Sequence, residues 1–320
     1  VTPALFRELV AEARFSPSVH NVQPTRWRLR PDGVVWVLDA PERRLPVGDP
    51  TGRDALASHG AAVEGFAIAA SVRGFKVSVA PVEGAVAQLT LSPGARPDPL
   101  ASFLQRRRTY RGPFRNGAGA AELATLAAAC RDLLLVNDAD RIAAVARLND
   151  AASLRTFRRR DFRLELLSWM RLSRNHPDWS RDGLNAEAMN MSPAEALGAG
   201  IALRPSVFEA LDRMGVAGPI TGEAAVVRSA LSLAVFAAGL DEPPFDTGRR
   251  WHRAWLEIER VGLSAAPMTV LGDDPEAAAA VAQCAGVPEG SRVVTVFRLG
   301  VPAGRIPQPA RLPVDELIAP

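Results

Sequence analysis

Two short stretches carry most of the residues able to do chemistry. "RRRTYR" sets Arg106, Arg107, Arg108 and Arg111 around Thr109, at what reads as the carboxyl end of a helix through Leu100, Phe103 and Leu104. A helix dipole repels an anion at that end. An anion held there needs the arginine side chains, whose planar forks match phosphate oxygens, with the Thr109 hydroxyl as a further donor. The same run also neutralises the dipole of a solvated helix end, and spacing alone does not choose between the two. The second stretch, "RFSPSVHNVQP" at 14–24, sets Ser, Asn and Pro between an apolar helix pattern and a strand pattern. Such loops either make ordinary turns with local backbone bonds or present N–H groups and short polar side chains to a ligand.

Other chemistry is missing from the pattern. His20, His59, His176 and His252 are scattered, with no HExxH motif or His/Cys cluster at metal spacing, so no metal centre is expected. "GAGAAE" at 117 and "GAGIAL" at 198 follow no strand of a βαβ unit and read as turns. No GxSxG elbow marks a serine nucleophile, and "FRRRDFR" at 157–163 reads as an exposed helix face.

The elements that must position the two stretches follow from periodicity. Phe6, Val10 and Ala13 recur at helical spacing, and Pro17 ends that helix. "TRWRLR" and "VVWVL" alternate around "PDG" as a hairpin, a long helix runs through Leu56, Gly60, Val63 and Ala67, and "KVSVAP" and "VAQLTL" make a second hairpin. A Pro/Gly-rich joint, "SPGARPDP", separates this part from the rest. Beyond it come a strand "LLLV", helices from about 138 to 173, and an irregular polar stretch from 174. A strand "SLAVFAA" and a helix over 246–262 follow, the helix carrying Trp251, Trp255, Ile258 and Gly262 on one face. A helix capped by Asp274, Pro275 and Gly286 precedes a final strand "VVTVFRLG". The order is α+β rather than a regular βαβ alternation.

Composition bounds the rest. Of 320 residues 48% are hydrophobic and 23% charged, as in globular proteins. One lysine, Lys76, stands among 38 basic residues, and 35 acidic ones leave a net charge of +3, which gives no basis for nucleic-acid binding. Cys130 and Cys284 lie far apart in helix patterns, which fits a reducing, cytoplasmic setting. No uninterrupted apolar run reaches a membrane span, and no signal-peptide pattern opens the sequence.

Together the motifs resemble those of the nitroreductase superfamily of FMN enzymes. "RFSPSVHNVQP" is similar to the family's A-x-x-A-P-S-x-x-N-x-Q-P loop beside the flavin ring, and "RRTYR" to its R-R-S-x-R phosphate grip, with Thr109 in place of serine. "IERVGLSAAPM" at 258–268 is similar to a helix and glycine turn whose backbone faces flavin N5, and Arg311 in "PARLPVDEL" matches a basic residue near the phosphate. The resemblance implies a nitroreductase-like α/β sandwich with FMN bound by Pro17, Ser18, Val19, His20, Asn21, Gln23, Arg107, Arg108, Thr109, Arg111 and Arg311. It places the backbone of Gly262, Leu263 and Ser264 at N5 and implies no catalytic group beyond the flavin itself.

In that family the arginine motif comes first and two identical subunits share each site. Here the loop comes first, an order that resembles the Acg-like branch of fused pseudo-dimers with one FMN and a segment able to cover it. The resemblance then implies two nitroreductase-like halves in one chain, 1–97 and 98–320, with a covering segment at about 174–225. It further implies an internal pseudo-dimer, able to stand as a monomer, with a small-molecule redox substrate and neither nucleic acid nor membrane as partner. The implied activity is hydride transfer through flavin from NAD(P)H or an organic donor to a nitroaromatic, quinone or similar acceptor. Two alternatives use the same site. One is a flavin-storing protein closed by its lid. The other is a biosynthetic flavin dehydrogenase with a pocket shaped by Trp169, Met170, Met189 and Met191, residues that better suit ordinary packing.

Overall fold

The computed structural model describes residues 1–320. Helix α1 (Pro3–Ala13) begins where the Thr2 hydroxyl accepts the Leu5 N–H and Pro3 opens the first turn, and it buries Phe6, Leu9, Val10 and Ala13. Strands β1 (Thr25–Leu29) and β2 (Val35–Asp39) pair antiparallel across a turn in which Gly33 takes a φ of +81°, as the tight hairpin requires. Helix α2 (Arg53–Val72) and a second hairpin, β3 (Phe75–Ala80) and β4 (Ala87–Pro93), complete a four-stranded sheet of order β1-β2-β4-β3.

The chain then repeats this plan with additions. After α3 (Ala120–Ala129) and β5 (Leu133–Val136) comes an insert holding α4 (Ala139–Arg158), α5 (Arg160–Trp169) and β6 (Met170–Arg171), the last paired parallel with β7 (Leu184–Asn185). The insert ends with α6 (Pro193–Ala202), α7 (Pro205–Arg213), α8 (Ala217–Thr221) and α9 (Ala224–Arg228). Strand β8 (Ser232–Gly239), helix α10 (Pro244–Arg260), strand β9 (Ser264–Met268), helices α11 (Val270–Asp273) and α12 (Pro275–Ala285), and strand β10 (Ser291–Gly300) follow. The second sheet runs β5-β8-β10-β9, all antiparallel. Each half therefore reads strand, strand, long helix, strand, strand, in the same spatial order. A tail with α13 (Val314–Leu317) returns to the first half, where Ala319 N–H donates to Trp27 O. Leu312 and Leu317 enter the first core cluster beside Trp27 and Leu89, as do Leu100, Leu104 and Leu256, so that core draws on residues beyond 97.

The halves meet along α2 and α10. A methyl group on Gly60 would overlap the Phe245 carbonyl, and one on Gly248 would overlap the Ala57 carbonyl. Only glycine permits the two backbones this approach. Helix α2 is also the one helix long and apolar enough to cross a membrane, and 72% of its apolar window is buried inside the protein.

Three expectations fail. "FRRRDFR" is not one exposed helix face: α4 and α5 break at Arg159, and Arg163 is buried over the Phe208 ring, which anchors the start of α5 in the insert's core. The segment before the arginine run is a single 3-10 turn (Ala101–Phe103), not a helix; Pro97 and Pro99 precede it, and the chain is pulled into a bridge between Thr109 and Ala265. The dipole argument for "RRRTYR" therefore falls away. Gly198 and Gly200 lie inside α6 rather than in a turn, because Ser192, Pro193 and Glu195 form a capping box that starts a helix there.

Gly60→Ala or Gly248→Ala should lower unfolding free energy by about 3 kcal/mol or more, since the added atom meets backbone rather than a movable side chain. Gly198→Ala, whose methyl group meets nothing, should be neutral or stabilising by about 1 kcal/mol. Urea titration of the three variants checks this.

Candidate functional site

A cavity of about 200 Å³ lies where α2, α10, the 17–21 loop, the 107–111 segment, the tail and the insert converge. One liquid water takes only about 30 Å³, so the space suits a ligand of several rings. Pro17, Ser18, Val19, His20 and Asn21 border it, with Arg107, Arg108, Thr109, Arg111 and Arg311. The two stretches singled out in the sequence thus converge on one cavity.

Local structure explains how each arrives. Helix α1 ends at Ala13, a turn over residues 14–16 leads to Pro17, and Ser18 Oγ accepts the Gln23 N–H at 3.0 Å. That closure forces His20, Asn21 and Gln23 to φ of 44°, 55° and 53°. Three L-residues in the left-handed region are strained, and such strain concentrates where a loop serves a site. The arginine segment is fixed by the Tyr110 N–H, which donates to Ala265 O on β9. Arg311 is carried in by the returning tail.

The charges are unbalanced. Arg107 is 3% exposed, lies over the Trp255 ring at 4.4 Å and donates to Phe15 O at 2.9 Å. Arg311 donates to the same carbonyl at 3.1 Å and to Asn21 Oδ1 at 2.9 Å. Arg111 donates to Ala188 O. None of these three, nor Arg108, has a carboxylate within ion-pair distance, whereas Arg249 and Arg253 nearby share Glu64. Burial, then Arg108 and Arg14, pushes the Arg311 guanidinium down to about 9. Burial, then Arg311 and Arg108, holds Arg107 well below its usual range. His20, pushed down to about 4 by burial and by Arg111, is neutral at pH 7.

Other expected residues serve elsewhere. Gln23 sits behind the cavity wall, where Nε2 donates to Arg181 O and Oε1 accepts the Leu312 N–H. The Asn21 side chain is spent on Gly183 O, Ala310 O and Arg311. Gly262, Leu263 and Ser264 do not reach the cavity. Gly262 caps α10 with φ +90°, Leu263 is buried in the second half's core, and Ser264 pairs with Gly300. Five residues of β9 carry the chain onward, so it is Pro267 and Thr269 that border the cavity. Met170, Met189 and Met191 pack in a small core within the insert and do not border this cavity.

Sequence reasoning missed Asp54 and Ser58 on α2, Thr247, Gly248 and Trp251 on α10, Asp273 on α11, and Thr295 on β10. It also missed that Gly183–Ala188 of the insert form one wall. Beside that wall Asp182 accepts from Arg43 at 2.9 Å and from Arg171 at 2.8 Å. The "RDG" at 181–183 was the available signal: Gly183 has φ +67°, and a methyl group there would overlap the Trp169 carbonyl.

No family model matches the chain, and no curated protein matches it in sequence. Among solved structures it is similar to an FMN-bound nitroreductase from Bacteroides fragilis, at 15% identity and TM-score 0.40 over 68% of this chain and 95% of that one. It is similar to the FMN- and NADPH-dependent nitroreductase NfnB from Sphigopyxis sp. strain HMH, at 17% identity and TM-score 0.38 over 69% and 97%. It is also similar to an NADPH:FMN oxidoreductase from Vibrio harveyi complexed with NAD+, at 14% and 0.35 over 68% and 73%. Scores this low carry no argument, and the functional reading rests on the site.

The arginine end should take an anion. A base with a lowered folded pKa costs stability in full below that pKa, and the cost fades only as pH rises from about 9 toward the ordinary arginine range. Inorganic phosphate at pH 7 should therefore raise the melting temperature by a few degrees over chloride of equal ionic strength. The gain should shrink above pH 9 and largely vanish in Arg107→Ala/Arg311→Ala, as read by calorimetry.

Proposed function

We propose that the protein is an FMN-binding oxidoreductase of nitroreductase type, built as two nitroreductase-like halves fused in one chain. The observation that carries this is the group of four arginines without carboxylate partners on one cavity, next to the strained 17–21 loop. A buried guanidinium without a counter-charge is costly, and a phosphate dianion removes that cost. The shared strand order of the two sheets supports the fusion.

The residues present fit the cofactor. Arg107, Arg108 and Arg311 would hold the phosphate with Thr109 beside them, and the 17–21 loop would flank the ring. The Thr295 hydroxyl and Trp251 Nε1, which have no partner within the protein, remain for polar atoms of a ligand. Bound flavin would supply hydride exchange between a donor such as NAD(P)H and an organic acceptor. The chain itself binds and orients it. Trp255 and Phe15 O fix the Arg107 fork, and the insert's wall at 183–188 limits water.

One complete site per chain is expected. The link between α1 and β1 runs over residues 14–24, whereas the corresponding link between α3 and β5 is residues 130–132 only, too short for a second flavin loop.

A second reading, a flavin-storing protein, is favoured by the way the insert is fastened. Asn21 Nδ2 donates to Gly183 O, Gln23 Nε2 to Arg181 O, and the Arg311 N–H to Ser180 O. A wall tied at three places restricts a nicotinamide that must stack on the ring. Stopped-flow mixing with NADPH decides: bleaching of flavin absorbance within seconds supports the oxidoreductase, and its absence over minutes, with dithionite still effective, supports storage.

The purified protein should bind one FMN per chain. Arg107→Ala/Arg311→Ala should weaken FMN by roughly two to four decades, since each charge-assisted bond contributes about 1.5–3 kcal/mol. Riboflavin, lacking the phosphate, should bind wild type and variant alike. Fluorescence titration checks both, and a change within threefold for FMN would sink the phosphate grip.

A further inference from the structure

The cavity also carries acid groups. Asp54 and Asp273 border it from α2 and α11, and Arg53 lies between them, with Nη2 donating to Asp273 at 2.6 Å and Nε to Asp54 at 3.4 Å. Gly272 packs so closely on the Val294 carbonyl that a methyl group there would clash, which sets Asp273 beside the β10 stretch containing Thr295. Thr295 is 1% exposed and borders the same cavity, and its hydroxyl has no partner in the protein. A carboxyl group and an orphaned buried hydroxyl on one wall form a polar pair for a ligand oxygen. Asp273 is 41% accessible, so it also meets solvent.

Resting on the flavin reading above, we propose that Asp273 is the proton donor to the organic acceptor, with the Thr295 hydroxyl holding the acceptor's oxygen. The acceptor class is a quinone or similar conjugated dicarbonyl. Bound flavin, when reduced, would supply a hydride to one carbonyl oxygen and Asp273 would give its proton to the other, so that the acceptor leaves as the hydroquinone. Asp273, left as carboxylate, regains a proton from water. Two electrons and two protons are thereby accounted for.

The electrostatics agree. Burial, then Asp54, pushes the Asp273 carboxyl up to about 7, against the pull of Arg53, and Asp49 adds to the rise. Arg292 on β10 faces the same carboxylates, and burial and then Arg53 hold it below its usual range. The adjacent Asp274 is engaged by Arg155 and by the start of α12. Arg53 is opposed by burial, yet it moves upward because both Asp54 and Asp273 favour its charged form, and Asp54 moves up chiefly through its own burial. A carboxyl that titrates near neutrality is suited to give up a proton and take it back.

The test uses the full-length protein with FMN bound. Carboxyl carbon NMR over pH 5–9 should show a carboxyl titrating near 7 that is missing in Asp273→Asn. In single turnover, the flavin is reduced with dithionite and mixed anaerobically with menadione. Wild-type reoxidation should slow about thirtyfold from pH 6 to 8.5, following the protonated fraction of a group titrating near 7. Asp273→Asn should be at least tenfold slower at pH 6 and flat with pH, and Asp273→Glu should restore a pH-dependent rate. No carboxyl titrating between 6 and 8, or a variant matching wild type in rate and profile, overturns the proposal. Flavin absorbance keeps the two readings apart. Protein that binds no FMN ends both, whereas bound FMN with an unchanged pH profile ends only the role of Asp273.

Discussion

The close approach of α2 and α10 is the constraint on which the rest depends. Gly60 and Gly248 let each helix backbone lie against the other's carbonyl, and that distance sets the separation of the two sheets. The same two helices supply Asp54, Ala57, Ser58, Thr247, Gly248, Trp251 and Trp255 to the cavity, so its floor and the joint between halves are one surface. Interiors packed to this density pass strain on rather than absorbing it. A shift in the crossing would reach the ligand without any loop having moved.

Around that floor the walls are held by hydrogen bonds between segments distant in sequence. Phe15 O accepts from both Arg107 and Arg311, and Asn21 joins the insert to the tail. The 17–21 loop, the arginine segment and the carboxyl-terminal tail are therefore organised together. This explains why Asn21 and Gln23 matter to the site although neither side chain is free to serve it. The cavity is also polar along its length, with unpaired guanidinium groups toward the tail and a carboxyl pair toward α11.

Much of this was legible because local signals agreed with the global fold. The hairpin turn at Gly33, the length of α2 and the Asp274–Pro275 cap each specify their element by short-range chemistry, and each was recovered. The arginine and 17–21 stretches were legible as chemistry because polar, breaker-rich sequence has no packing role to explain it. The failures have physical causes. The Leu100–Leu104 pattern is apolar because it fills the first core, and its spacing imitates a helix that the flanking prolines forbid. Gly262 looked like a ligand-facing glycine, yet its left-handed φ serves a helix end, a need identical in sequence terms. Asp54, Asp273 and Thr295 each have an unremarkable local setting: an acid in a helix's first turn, an acid at a helix end, a threonine in a strand. Only the fold brings them to one wall.

The two halves differ most at one place. Between β1 and β2 the first half has a short turn, residues 30–34, while between β5 and β8 the second half has the whole insert, residues 137–231. Lengthening a connection whose ends are already fixed by sheet pairing costs only logarithmically in chain entropy, and the insert has its own small core around Leu166 and Phe208 to offset that cost. One face of the cavity is thus built from a part whose folding makes few demands on the sheets, and the opposite face from the helices that hold the molecule together. Changes in the insert can reshape what enters the cavity while the arginine cluster stays put, so in this architecture the shape of the cavity and the stability of the fold are free to vary separately.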